Sequence, residues 1–428
     1  MVDLSLIEAY FDRLWPICRS ITGDGLRESF RILQEIIPFE LTEVPTGTKV
    51  FDWEIPLEWN VRNAYLLTPD GQKIADFQSN NLHLVNYSEP INRKISWQEL
   101  EPHLHTLPQM PEAIPYITSY YKRTWGFCLT QNQYNQLPRE GEYTVLIDSE
   151  LKNGSLTYGQ AVLPGDSDKE ILFSSYLCHP SMANNELSGP LTLAFLYREL
   201  AKKQQRKYTY RFVLAPETIG VIAFLSRYGS ALKENVRGGL VLTCCGDEGA
   251  VTYQRSKRDN SESDRVMLNL LQTDGIEYST RKFDIGGSDE RQYCSQGLNL
   301  PIGTFMRTPF KVFKEYHTSL DNKDLFSFQS IKTNIEILAK YLEGMEANFT
   351  IKPGNIPCEP MLGKRGLYPS KGGLITLPET TQDILRIVTY SDCKNSLLEV
   401  AEEIKRPLYA LKKSAQIAAE NQLIEIDQ

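Results

Sequence analysis

His179 ends the apolar run EILFSSYLC, and the polar cluster Asn184, Asn185 and Glu186 follows within a turn, before Ser188, Gly189 and Pro190 open another apolar stretch. Three more polar residues stand in comparable places: Glu217 after RFVLAP, Asp247 after GGLVLTCCG, and His317 inside EYHTSLDN. Imidazole and carboxylate donors brought together from separate strand ends are what a catalytic zinc needs, at about 2 Å each and with one position left open for water. A further carboxylate near that water, but off the metal, can act as general base. Each residue also has a plainer reading. A histidine at a strand end is commonly structural, and Glu217 or Glu186 can sit at a helix start because the dipole favours a negative charge there. Asp247 can close an Asx turn before Gly249. Histidine is scarce, with five in the chain, so imidazole chemistry has few candidates. His103 and His105 would share a strand face, but no acidic partner follows at ligand spacing.

The segments that must position these residues alternate in character. Residues 4–37 carry apolar side chains at three- and four-residue spacing on either side of a Gly-Asp-Gly break, which predicts two helices. Residues 61–115 are rich in Pro and aromatic residues and predict a small β-rich insertion. From EYTVLIDSEL onward, apolar strands alternate with amphipathic helices, the pattern of a largely parallel sheet covered on both faces. His179, Glu217 and Asp247 then fall at the carboxyl ends of strands, where such sheets bind ligands. The expected division is an α/β core over 1–60 and 116–350, the insertion over 61–115, and a winged-helix-like domain over 351–428. The Pro/Gly-rich linker NIPCEPMLGKRGLYPSKGG leads into the last of these, whose order is helix, helix, turn, helix and short strand.

Composition narrows the classes. The chain has 428 residues, 41% hydrophobic and 23% charged, which is ordinary for a globular protein of more than one domain. Eight cysteines without metal-ribbon spacing read as reduced core thiols, and no apolar window suggests a membrane span or signal peptide. A cytoplasmic protein is expected. A net charge of −8 argues against a broad nucleic-acid surface, and Lys412 and Lys413 in the third tail helix make a weak DNA-binding candidate.

The segments LCHPSMANNELSGP, APETIG, GDEG, GGSDERQY, YHTSLDN and LGKRGLYP together resemble the zinc aminopeptidase family, and more closely a bacterial aminopeptidase-like branch with an inserted small domain and a C-terminal winged helix. The resemblance implies a three-layer α/β/α zinc-exopeptidase core. It implies His179, Asp247 and His317 as metal ligands and Glu217 as catalytic base. This chain departs from the family at two positions: Asn185 replaces the metal-bridging Asp, and Thr218 replaces a second ligating Glu. Neutral oxygens there leave too little negative charge for two divalent ions, so one zinc is expected, with Glu186 as a candidate carboxylate ligand. The Tyr316 hydroxyl is a candidate oxyanion partner. GGSDERQY lacks the Lys-Ser/Thr ending of a phosphate loop, and Asp289, Glu290 and Arg291 are expected to line the substrate pocket, a carboxylate there meeting an ammonium. The implied activity is zinc-dependent hydrolysis of a small peptide or amide, with an inactive scaffold and an amino-sugar deacylase as alternatives; a homo-oligomer is left open.

Overall fold

The computed structural model describes residues 3–368, 377–391 and 396–427; residues 369–373 of the expected linker, and Cys393, lie outside them. Eight strands form the large sheet, numbered here in chain order: β1 (Glu40–Pro45), β2 (Ser155–Leu163), β3 (Ser167–Tyr176), β4 (Tyr208–Ala215), β5 (Val236–Leu242), β6 (Val251–Gln254), β7 (Tyr278–Arg281) and β8 (Ile302–Met306). Their spatial order is β1-β2-β4-β3-β5-β8-β6-β7. The middle four, β4-β3-β5-β8, run parallel. β1 and β2, and β2 and β4, pair antiparallel, as do β6 and β8, so the parallel expectation holds at the centre and not at the margins.

The central strands are buried along almost their whole length, β3 from Glu170 to Tyr176 and β5 from Gly238 to Leu242. Burial on both faces requires cover on both sides, and helices supply it. Among them, α1 (Ser188–Leu200) and α2 (Ile219–Asn235) leave directly from the loops after β3 and β4. The Ser-Gly step that opens α1 is a packing requirement. A Cβ on Gly189 would lie 2.3 Å from Ser175 Oγ and 2.5 Å from Leu242 O, so only glycine lets the helix pass this close over β3 and β5.

A separate four-stranded antiparallel sheet contains Lys73–Ile74, Glu58–Leu67, Glu142–Lys152 and Ile91–Ser96, in that order. Glu142–Lys152, read from sequence as the first strand of the α/β series, pairs here instead. Its strict alternation of buried and half-buried positions suits a sheet with one covered face.

The chain divides into two compact units, Met1–Arg258 with Ser279–Ile335, and Asp259–Tyr278 with Glu336–Gln428. In the second, helices Glu379–Thr389, Leu397–Glu403 and Leu408–Glu420 are followed by strand Ile424–Asp427, which pairs antiparallel with Thr350–Pro353. Leu408, Leu411, Ala415 and Ala418 form the buried stripe of the third helix. The helix Glu262–Thr273 belongs to this unit, an addition that the sequence pattern did not reveal.

Candidate active site

After β3, the chain makes one wide turn over Ala183–Leu187 before α1 begins. Asp321 clamps this turn: its carboxylate accepts the Asn184 N–H at 2.7 Å and the Asn185 N–H at 2.8 Å, and its carbonyl accepts the Ala183 N–H at 3.0 Å. Burial pushes the Asp321 carboxyl up to about 7, against the pull of those N–H groups. The turn delivers Glu186 beneath His179. Glu186 Oε2 lies 3.0 Å from His179 Nδ1, while Oε1 accepts the Cys178 N–H at 2.6 Å and stands 3.6 Å from Arg19 Nε. Arg19 is completely buried, and also donates to His179 O and Leu14 O. Glu186, expected on the metal or at the helix start, thus has both oxygens occupied beneath the imidazole. Burial lowers the pKa of His179, but Cys178 and Glu186 outweigh it and raise it well above the usual value.

Glu217 follows β4 by two residues. Ser288 Oγ donates to Glu217 Oε1 at 2.8 Å, and Oε2 lies 3.7 Å from His179 Nε2. The next residue, Thr218, has φ 65° and ψ −79°, a conformation β-branched residues seldom adopt. Two members of GGSDERQY hold it there: Asp289 Oδ1 accepts the Thr218 N–H at 2.7 Å, and Arg291 Nη2 donates to Thr218 Oγ1 at 2.9 Å. Burial first, and then the Glu217 charge, push the Asp289 carboxyl well above the carboxylate range. Glu290 is buried and turned into its own loop, accepting from Gln254 Nε2 at 2.9 Å and from the Ser288 N–H at 3.1 Å. Gly287 makes room for it, since a Cβ there would lie 1.6 Å from Glu290 Oε1.

His317 has φ 58°, and its carbonyl accepts the Tyr116 N–H at 2.9 Å. Tyr316 stacks on the imidazole at 3.9 Å. The rings of His179 and His317 are 5.4 Å apart, with Tyr116 against both. His317 Nε2 is buried without a hydrogen-bond partner, and burial, followed by the influence of His179, brings its pKa down to about 3. It is therefore neutral and free to give its lone pair. Asp247 is engaged elsewhere: it accepts from Asn184 Nδ2 and the Gly249 N–H at 2.7 Å each, and from Thr308 Oγ1 at 2.7 Å.

Cys178, His179, Glu217, Thr218, Arg291 and His317 line one cleft of about 620 Å³, with Ile21, Ile219 and an aromatic and aliphatic group from the preceding part of the chain: Trp53, Tyr116, Ile117, Tyr120 and Tyr121. Asp247, Glu186, Tyr316, Asp289 and Glu290 are not among its lining residues. Among the described residues, the trio of possible metal donors lying within 4.8 Å of one another is Cys178, His179 and Glu186. Sequence reasoning overlooked Arg19, Ser288, Asp321 and the aromatic group. Asp321 stood inside a quoted motif, and an aspartate shortly after YHT was a signal open to use.

A family model described as "Domain of unknown function (DUF4910)" matches residues 8–348, and one described as a winged helix-turn-helix matches residues 351–426. A Clostridium acetobutylicum protein, provisionally named for polysaccharide biosynthesis and an aminopeptidase-like domain, is 44% identical over 403 residues, 93% of this chain and 92% of its own. A crystal structure from that organism, provisionally described as a peptidase, has a TM-score of 0.92 at 40% identity and is covered over 96% of its length by 99% of this chain. BSAP, a zinc aminopeptidase from Bacillus subtilis, has a TM-score of 0.56 at 10% identity, over 79% of this chain and 94% of its own; at that identity the likeness is one of fold. No helix among the described residues is long and apolar enough to cross a membrane. With matches over this much of its length, the chain belongs to the DUF4910 family, as an aminopeptidase-like α/β/α protein that ends in a winged helix.

Proposed function

We propose that the cleft hydrolyses an amide bond with one zinc ion, and that His179 and His317 hold it. The observation that carries this reading is the buried, unpartnered Nε2 of His317, whose ring centre lies 5.4 Å from that of His179. His179 is prepared in the way a metal-binding imidazole usually is, with a carboxylate, Glu186, at the far nitrogen. His179 and His317 bring two imidazoles to the cleft, a donor type that suits zinc. The ion supplies Lewis acidity, polarising the amide carbonyl and making water acidic enough to lose a proton near neutral pH. Glu217 takes that proton through Oε2, while Ser288 holds Oε1, and returns it to the departing amine. Asn185 and Thr218 are neutral, which favours one ion over two. Tyr316 supports the site by stacking on His317. The relative's provisional name joins an aminopeptidase-like domain to polysaccharide biosynthesis and brings glycan-linked amides into consideration beside peptides.

Glu217→Gln is expected to keep its zinc and to lose about 10²–10⁴ of turnover, measured by product release over a panel of aminoacyl and N-acyl amides. Glu186→Gln is expected to weaken zinc binding about 10- to 100-fold without abolishing it. Near-normal turnover in Glu217→Gln removes that residue from the reaction. Two tightly held zinc ions per chain after dialysis overturn the one-ion site.

The winged helix is read as a packing module. Its third helix, the one that commonly enters the DNA major groove, is engaged at its start by Glu262–Thr273 and the residue after it: Asn269 Oδ1 accepts the Leu408 N–H at 2.9 Å, and the Tyr409 hydroxyl donates to Asp274 at 2.8 Å. Lys412 stands 3.8 Å from Glu346. Submicromolar sequence-specific DNA binding at physiological salt would refute this reading.

A further inference from the structure

The lining of the cleft constrains its substrate. An enzyme that selects a free N-terminus needs an anion to meet the ammonium. The one carboxylate lining this cleft among the described residues is Glu217, which the proposed mechanism uses as base. Asp289, expected to meet an ammonium, instead accepts the Thr218 N–H beneath the surface. Arg291, by contrast, lines the cleft with its guanidinium donating through Nη2 to Thr218 Oγ1 and its buried Nε unpartnered, and it forms no ion pair among the described residues. A guanidinium there repels an ammonium and attracts a carboxylate or phosphate.

The aromatic wall adds a second constraint. Trp53 is 41% exposed and Tyr121 58% exposed, and their rings meet edge to face at 5.8 Å. Large exposed aromatic rings grouped at a cleft mark a binding surface, because leaving them in water forfeits burial. Trp53 stands on the short hairpin Lys49–Val50 with Trp53–Glu54, so a backbone element fixes it. The electron-rich face of an indole or phenol suits the polarised C–H face of a pyranose ring. Deeper in the cleft, the Tyr116 and Tyr120 hydroxyls lie 2.8 Å apart and can exchange hydrogen bonds with sugar hydroxyls.

We infer that the cleft takes an N-acylated amino sugar bearing an anionic group, with the pyranose against Trp53 and Tyr121, the anion at Arg291, and the amide between Glu217 and the two histidines. This inference rests on the amide-hydrolase reading for its reaction. Water adds its oxygen to the acyl carbon, the C–N bond breaks, and the nitrogen receives the proton carried by Glu217. A carboxylate and a free amino sugar leave.

The test uses the zinc-loaded full chain, with N-acetylglucosamine phosphate, unphosphorylated N-acetylglucosamine and a leucyl dipeptide as probes. Binding is read by calorimetry and tryptophan quenching, and hydrolysis by release of acetate or leucine. The phosphorylated sugar should bind most tightly. Trp53→Ala and, independently, Tyr121→Ala should each weaken it roughly tenfold with zinc content unchanged. Arg291→Lys should retain part of the preference for the phosphorylated sugar, and Arg291→Gln should erase it. Tighter binding of the dipeptide, or indifference of sugar binding to both aromatic variants, overturns the inference. Sugar binding without acetate release supports the recognition and sinks the hydrolase reading; leucine release without sugar binding does the reverse.

Discussion

The cleft floor and the third helix of the winged-helix unit are both lined with polar side chains, but the two regions use them differently. In the cleft His317 Nε2 and Arg291 Nε, and behind its lining Asn185 Oδ1 and Asp289 Oδ2, are buried without hydrogen-bond partners, and Thr218 and His317 are held at positive φ. Around the third helix, Asn269 bonds Leu408 N and Arg406 O, Asp274 receives Tyr409, and Arg265 grips Glu402, although Arg406 Nε is buried without a partner and Lys405 has φ 54°. Unpaired buried groups and strained backbone each cost free energy and persist where the surroundings hold them. Among the described residues, four such atoms gather around the cleft against one beside the third helix, and a region where the cost is concentrated is arranged for a ligand, whereas one whose groups are mostly paired is arranged for packing.

The largest test of that contrast lies under His179. Arg19→Met removes the buried cation beside Glu186, and leaving that carboxylate without its partner should cost about 3–5 kcal/mol, measured by denaturant unfolding of the full chain. The double change Arg19→Met with Glu186→Gln should cost less than Arg19→Met alone, because no unpaired charge then remains. Equal losses in the single and double variants would mean that packing of the Arg19 side chain, and not its charge, supports the floor.

A smaller effect is expected on the winged-helix side. Asn269→Ala leaves Leu408 N–H and Arg406 O without their partner and should cost about 1–3 kcal/mol, with zinc content and turnover unchanged. The readout is hydrogen exchange at the start of Leu408–Glu420, which should quicken. If turnover fell in step with this loosening, the helix would have a part in the reaction, and the division between a ligand region and a packing region would be lost.

The sequence made the upper half of the site legible and concealed its support. His179, Glu217 and His317 stand at loop positions where a polar residue interrupts apolar runs, and that local pattern is enough to single them out. Arg19 contacts the carbonyl of a residue 160 positions away, and Ser288 reaches Glu217 across 71; such pairings are made by tertiary packing and leave no periodic trace. Asp247 shows the opposite problem. Its place after β5 matched the family pattern, but the Asx-turn alternative describes one of its bonds, to Gly249 N–H, and Thr308 and Asn184 take up the rest. For the fold, alternation in Glu142–Lys152 was visible as strand character, while the sheet it joins depended on which faces were covered. The winged helix was readable from its order of elements, but its partner Glu262–Thr273 lies more than seventy residues upstream of the tail helices, inside what reads as one α/β series.

The finest test sets one substitution in two backbones. Thr218 and Thr381 each use the side-chain hydroxyl in one hydrogen bond, with Arg291 and with Leu367 O respectively. Thr381 lies in the helix Glu379–Thr389, where glycine loses both the hydroxyl's bond and helix propensity, so Thr381→Gly should cost about 1–2 kcal/mol. Thr218 is held at φ 65°, where release of a strain of about 1–3 kcal/mol offsets the lost hydrogen bond and the added freedom of the unfolded chain. Thr218→Gly should therefore change stability by less than about 1 kcal/mol, even though the side chain lies at the cleft. Its effect should appear instead in ligand affinity, since Arg291 loses the hydroxyl that positions it. A loss at Thr218 as large as that at Thr381 would show that the turn after Glu217 stores no strain, and that the cleft and the winged-helix unit are built alike.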